Sequence, residues 1–248
     1  LHGNHIRTYV VDRNINYTNV CTAKCTFCAF RRDGHEEDAY TLDYDTLLQK
    51  VQGIVDIGGT QILMQGGMNP ELPLEWYIDL LTLIREKFPQ VHLHAFSPPE
   101  IIEFINFFNT PGDTLEKQIR FVLTTLQEVG LDSIPGGGGE IFSHAVREKI
   151  GLGKCNAEVW LTVMRVAHEL GMNTSATMMF GHIEGINDRI HHMDLVRSWQ
   201  DRSIADFGLN GGGRYVSFIS WPFQPDNSPL GRVPEWQRSE HETFPGDV

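Results

Sequence analysis

Three of the four cysteines fall within eight residues, in the stretch NVCTAKCTFCAF, as Cys21, Cys25 and Cys28. Among biological metals, thiolates select zinc, iron-sulfur clusters or copper(I). A structural zinc site closes with four ligands, often as two CxxC-type pairs separated by a longer loop. No second pair follows here, so a zinc site would have to recruit a residue such as His35 as its fourth ligand. Cys155 stands alone in GKCNAEVW, ahead of a helical stretch, and reads as a small apolar packing residue. The spacing CxxxCxxC suits a four-iron cubane better, since three thiolates hold three irons and leave the fourth with an open coordination position. An exchangeable ligand carrying an amine and a carboxylate can chelate at that corner.

Other chemistry-bearing residues follow predicted strands. In PGGGGE a carboxylate, Glu140, stands beside four glycines. The loop lacks the lysine of a phosphate-binding P-loop, so it reads as room for a ribose or substrate with Glu140 accepting from hydroxyls. His92 and His94 share one face of their strand by the period of two. Imidazoles inside a barrel suggest substrate contact or proton handling; the alternative is a hydrogen-bonded core histidine. Ser97 at the tip of that strand, and Gly181-His182 at the end of a later one, are further site candidates. Asn16 and Asn19 flank the first strand's end as hydrogen-bonding supports for the cysteine loop. Trp221 and Phe223 in SWPFQP are rings that could stack on a substrate or pack in the core. His191 and His192 lie in a predicted surface helix and are expected to be solvated.

The elements that must position these residues alternate. IRTYVVDRNINYTNV, TQILMQGG, VHLHAFSPP, LDSIPGGGGE, NTSATMMFGH and YVSFISWPFQP read as strands, rich in β-branched or apolar residues and ended by glycine, proline or polar tips. Between them TLDYDTLLQKVQGIVDIG, LEWYIDLLTLIREKFP, the region from IIEF to QEVG (with a break around Asn109-Thr110-Pro111-Gly112), AEVWLTVMRVAHELG and DRIHHMDLVRSWQD show helical spacing. Strand-helix repetition predicts an α/β fold, a parallel (β/α) barrel of TIM type. Its strand tips build the active site. Residues 1–230 are expected to form this domain and 231–248, polar and proline-punctuated, an irregular tail. The six units are fewer than a full barrel requires, so a partial barrel is expected; the first residue is Leu rather than Met, as in a fragment.

A formal charge of -12 argues against nucleic acid or an anionic membrane as partner, both of which need a cationic face. No apolar run is long enough to span a bilayer, and the first residues lack a secretory pattern. Clustered cysteines without an even framework fit a reducing compartment, so a cytoplasmic location is expected.

CTAKCTFCAF, with Phe27 immediately before the last cysteine, resembles the signature of the radical S-adenosylmethionine superfamily. RNINYTNVCTAKCTFCAFRR, TQILMQGG, LHAFSPPEI, GLDSIPGGGGEI and TMMFGHIE together are similar to the branch acting on futalosine-type compounds in menaquinone biosynthesis, over roughly Asn14 to Leu230. The resemblance implies a 4Fe-4S cluster on Cys21, Cys25 and Cys28, with S-adenosylmethionine bound near Phe27, Gln65, Gly66, Gly67, Ser97, Glu140 and Gly181. The bare Gly66-Gly67 backbone would let the cofactor's amino acid end approach, although Met68 stands where many members carry Glu. Glu140, His94 and His182 are the catalytic candidates. The implied reaction takes a hydrogen from the sugar of dehypoxanthine futalosine and cyclises the substrate oxidatively. Aminofutalosine synthesis and deazaflavin-precursor synthesis are the alternatives within the branch, and a non-catalytic zinc protein is the alternative outside it. A flavodoxin- or ferredoxin-type donor is implied as partner, and no oligomeric state.

Overall fold

The computed structural model describes residues 9–151 and 153–233. Six strands alternate with helices: β1 (Asp12–Asn16), α1 (Tyr44–Val55), β2 (Gln61–Gln65), α2 (Leu74–Lys87), β3 (His92–Ala95), α3 (Pro98–Phe107), α4 (Leu115–Glu128), β4 (Ser133–Ile134), α5 (His144–Lys149), α6 (Ala157–Glu169), β5 (Asn173–Phe180), α7 (Ile186–Phe207) and β6 (Tyr215–Pro222). The strands pair in chain order, every neighbour parallel, so the sheet is an open partial barrel with β1 and β6 at its edges.

Local chemistry explains the helices. Asp43, Thr114 and Asn156 each accept from a backbone N–H in the first turn of α1, α4 and α6, satisfying donors that a helix start leaves open. Leu47, Val51 and Ile54 of α1, and Ile119, Val122, Leu123 and Leu126 of α4, are buried at helical spacing. They pack with Ile15, Ile62, Met64 and Leu93 of the strands into the main core. A second apolar cluster, including Ile141, Phe180, Phe223 and Leu230, fills the space near the tips of β5 and β6.

The strand-helix order and the break between α3 and α4 agree with the sequence. Three expectations are corrected. The turn of helix α5, in a stretch too short to show a period, was not anticipated. Helix α7 runs on through RSIADF to Phe207, a segment expected to be a connection. His192 is buried against Phe142, with ring centroids 4.0 Å apart and nearly parallel, rather than solvated; it lies on the side of α7 that faces the sheet, while His191 is exposed as expected. The boundary expected at residue 230 falls inside a short 3-10 turn, Leu230–Arg232, and most of the expected tail lies outside the described residues.

Candidate active site

Parallel strands put all their carboxyl ends on one side, which gathers the tips of β1 to β6 at a common mouth. The cysteine loop leaves β1 and is pinned at several points. Thr22 donates its N–H to the Met68 carbonyl (3.0 Å), Cys21 to that of Arg32 (3.1 Å), and Thr26 to that of Ile150 (3.0 Å). Asn19 accepts from the Tyr40 N–H (2.7 Å) and donates to the Asp38 carbonyl (2.8 Å), while Asn16 donates to the Gln65 carbonyl (3.1 Å). Asn19 therefore does the supporting work expected of it, whereas the Asn16 side chain ties β1 to the end of β2. The glycines after β2 have a packing role: a Cβ on Gly66 would strike the Tyr17 ring, and one on Gly67 would strike the Val20 carbonyl. The cysteine loop can lie down on the β2 tip only because those side chains are missing.

Cys21, Cys25 and Cys28 line one cavity of about 110 Å³ together with Phe27, Gly66, Gly67, Met68, Ser97, Glu100 and Lys154. Cys25 is buried in a small apolar cluster with Ala23 and Met68. Burial raises the Cys25 thiol pKa to about 11 against the opposing charge of Lys154, and burial likewise raises that of Cys21. Among the described residues no three His, Cys, Asp or Glu side chains converge closely enough to hold a single metal ion. The donor set fits a larger group: three thiols disposed around a walled cavity suit a cluster whose irons each take one thiolate. Metal binding would then supply the energy to remove the thiol protons. His35, the zinc candidate, is exposed and does not line the cavity.

Lys154 brings a cation into this cavity, with 21% of its side chain exposed. Burial opposes its charge, but Glu140 and the thiols of Cys25, Cys21 and Cys28 more than offset that, so its pKa is raised. Its Nζ lies 3.4 Å from Glu140 Oε1 and 5.7 Å from the centre of the Phe27 ring. Glu140 itself is buried, at a φ of 31° that L-residues seldom adopt. Its Oε1 also accepts from the Gly138 N–H (3.2 Å), while Oε2 is buried with no hydrogen-bond partner among the described residues. Glu140 does not itself line the cysteine cavity but meets it through Lys154, and its orphaned acceptor is open to a donor. Arg147 holds the loop that presents Glu140: its guanidinium donates to the carbonyls of Gly138, Gly139, Ile141 and Cys155. Lys154 also borders a larger, more open cleft of about 560 Å³ between α5 and α6.

The other predicted residues divide. Ser97 and Phe27 line the cysteine cavity; Gln65 ends β2 beside Gly137. His94 lies inside the barrel away from that cavity, with Nδ1 2.6 Å from Ser133 Oγ and Nε2 3.5 Å from Ser175 Oγ. His92 reaches the same serine at 2.7 Å, so the two imidazoles do share a face. Burial, with His92 adding, lowers the His94 pKa to about 4. His182 is fully buried with Nε2 3.3 Å from Glu184 Oε2. Burial depresses its pKa and Glu184 opposes the shift. Glu184 also accepts from the N–H of Gly181 (2.7 Å) and from Arg189 Nε (2.7 Å), tying the β5 tip. Trp221 packs 6.3 Å from the Phe27 ring, in contact with the cysteine loop. Cys155 packs against the main core as expected, and its thiol pKa is raised to about 12, chiefly by burial.

Sequence reasoning missed Glu100, Lys154, Arg147 and Glu184. Ser-x-x-Glu before an apolar run is a helix-start signature, and SPPE carries it; nothing in the sequence marked Lys154.

A parallel partial barrel with three thiols around a cavity at its first strand tip defines a class of cluster-binding α/β enzymes. The model of the radical SAM superfamily matches residues 15–196. The chain is 39% identical to cyclic dehypoxanthine futalosine synthase of Halalkalibacterium halodurans, over 92% of the chain and 58% of that protein. It is 40% identical to aminodeoxyfutalosine synthase of Thermus thermophilus, over 93% of the chain and 58% of that protein. Among solved structures, methylornithine synthase superposes with a TM-score of 0.63 at 15% identity, over 90% of the chain and 57% of that structure. The chain belongs to the radical S-adenosylmethionine superfamily, whose members use a 4Fe-4S cluster and S-adenosylmethionine. It spans a little over half the length of these curated relatives.

Proposed function

We propose that the chain carries the radical-generating core of an enzyme that cyclises dehypoxanthine futalosine oxidatively on the way to menaquinone. The observation that carries this reading is the single cavity at the barrel mouth that unites Cys21, Cys25 and Cys28 with Gly66, Gly67 and Lys154. The three cysteines would hold the cluster. When bound, it supplies the electron that splits S-adenosylmethionine into methionine and a 5'-deoxyadenosyl radical, which removes a hydrogen from the substrate's sugar.

The chain's own residues shape that chemistry. Phe27 and Met68 give the cavity apolar walls that keep water from a reactive centre, with Trp221 packed behind the Phe27 ring. The Lys154 ammonium balances negative charge accumulating in the cavity and pairs with a ligand carboxylate. Glu140 Oε2 accepts from a hydroxyl or ammonium of the bound nucleotide, its loop held by Arg147. His182, kept neutral by burial, is a proton acceptor near Glu140. His94 is a second such base in the barrel interior. This reading carries with it a flavodoxin- or ferredoxin-type electron donor and a cytoplasmic location; no helix among the described residues is long and apolar enough to cross a membrane.

The test is anaerobic reconstitution with iron and sulfide, followed by assay for 5'-deoxyadenosine release with and without dehypoxanthine futalosine. Substrate-dependent release with the spirocyclic product supports the proposal. Turnover of an aminofutalosine or deazaflavin precursor instead moves the assignment within the branch, and zinc without iron and sulfide overturns it.

A further inference from the structure

Glu100 is a fully buried carboxylate on the wall of the cysteine cavity, and four donors converge on it. Oε2 accepts from the Ser97 N–H (2.8 Å) and Ser97 Oγ (2.6 Å); Oε1 accepts from Tyr17 Oη (2.7 Å) and the Gly66 N–H (3.2 Å). The bond to the Ser97 backbone is ordinary helix capping at the start of α3. Capping does not account for Oε1, which reaches across the sheet to the ends of β1 and β2. Tyr17 is itself wedged, edge-on to Tyr77 and Phe96, so its hydroxyl direction is set by packing, and its ring occupies the space that a Gly66 side chain would fill.

We propose that Glu100 is a positioning residue of the cofactor site: it knots the tips of β1, β2 and β3 so that the Gly66-Gly67 turn and the root of the cysteine loop present a fixed surface to S-adenosylmethionine. This rests on the function proposed above. Both oxygens have their lone pairs taken by protein donors, so Glu100 acts through the turn rather than by touching the cofactor. The Gly-Gly-Met sequence explains the need. With Met68 in place of a carboxylate, the turn has no charged side chain of its own, and its main-chain atoms must be held from behind.

The test compares Glu100→Gln and Tyr17→Phe with wild type and with Glu103→Gln, a change on the same helix that does not touch the cavity. Each reconstituted protein is measured for iron and sulfide content, thermal midpoint, S-adenosylmethionine affinity, and the electron paramagnetic resonance spectrum of the reduced cluster with and without S-adenosylmethionine. Amide exchange at Gly66 and Gly67 is followed in the metal-free chain. An amide nitrogen at position 100 would face donors on one side. The expected result is iron loading near wild type, affinity weakened by about tenfold, the scale of one lost buried hydrogen bond, a smaller cofactor-induced spectral change, and faster exchange at Gly66. Tyr17→Phe keeps the ring over Gly66 and should show the same changes in reduced degree, and it decides the matter if Glu100→Gln does not fold. Wild-type affinity and Gly66 exchange in Tyr17→Phe would overturn the proposal. A wild-type protein that loads a cluster yet ignores S-adenosylmethionine counts against the proposed function instead; the knot is then judged by exchange and by the spectrum of the cluster alone.

Discussion

Four thiols look alike in a composition table, and their surroundings set them apart. Cys155 is packed against the core with its carbonyl held by Arg147, whereas Cys21, Cys25 and Cys28 face a common cavity that also holds a lysine. Replacing any one of the three by alanine should abolish iron and sulfide retention after anaerobic reconstitution, and Cys155→Ala should leave both at wild-type content. At Glu140, Oε2 has no hydrogen-bond partner among the described residues and is free to accept from a ligand. Glu140→Gln keeps the shape but puts an N–H or a weaker acceptor there, so 5'-deoxyadenosine release should slow by about tenfold or more, the worth of a charged hydrogen bond. The cysteine spacing and Glu140 were both legible in the sequence, because a ligand spacing or a carboxylate in a glycine run is a local pattern. Glu100 was legible only as a helix cap, because its decisive partners lie 34 and 83 residues away.

Among the elements, the glycine turn after β2 and the cysteine loop after β1 fit as a single interlocked piece. Gly67→Ala would drive a methyl into the Val20 carbonyl, at a cost of about 1–3 kcal/mol for an overpacked contact; urea unfolding should show the loss, with reduced iron retention alongside it. A second junction joins α6, β5 and α7. His168 is buried there with Nδ1 2.8 Å from Ser203 Oγ and Nε2 2.8 Å from Thr174 Oγ1. Burial lowers its pKa from 6.5 to about 4. The unfolded chain therefore binds this proton between those values and the folded chain does not, so stability falls as pH drops through that window, by up to about 3 kcal/mol for this group. His168→Gln should reduce the slope of the unfolding free energy between pH 6.5 and 4, leaving the part due to His94, measured by denaturant titration at successive pH values. The helical periods that announced α1, α2, α4 and α6 were readable, since each buries one regular stripe. Helix α7 was read too short and His192 as solvated, because only His192, Val196 and Ser203 of its 22 residues are buried, too sparse a stripe to fix its length or inner face.

At the scale of the whole molecule, the sheet formed by the described residues has β1 and β6 as its outer strands. On β6, Val216, Phe218 and Ile219 remain 60%, 41% and 45% exposed, an apolar strand edge of the kind that invites association. Ile219→Lys should reduce concentration-dependent self-association in sedimentation velocity while changing unfolding by no more than about 0.5 kcal/mol, as surface substitutions do. The sequence by itself determined the strand-helix alternation, hence the parallel sheet, and the local donor trio on the first strand's tip, because both are written in short-range periodicity and spacing. Only the tertiary structure decided which groups meet that trio. Lys154 and Glu100 come to the cavity from separate elements, with Tyr17 bonded behind Glu100, and long-range burial and hydrogen bonding between strand tips leave no local trace along the chain.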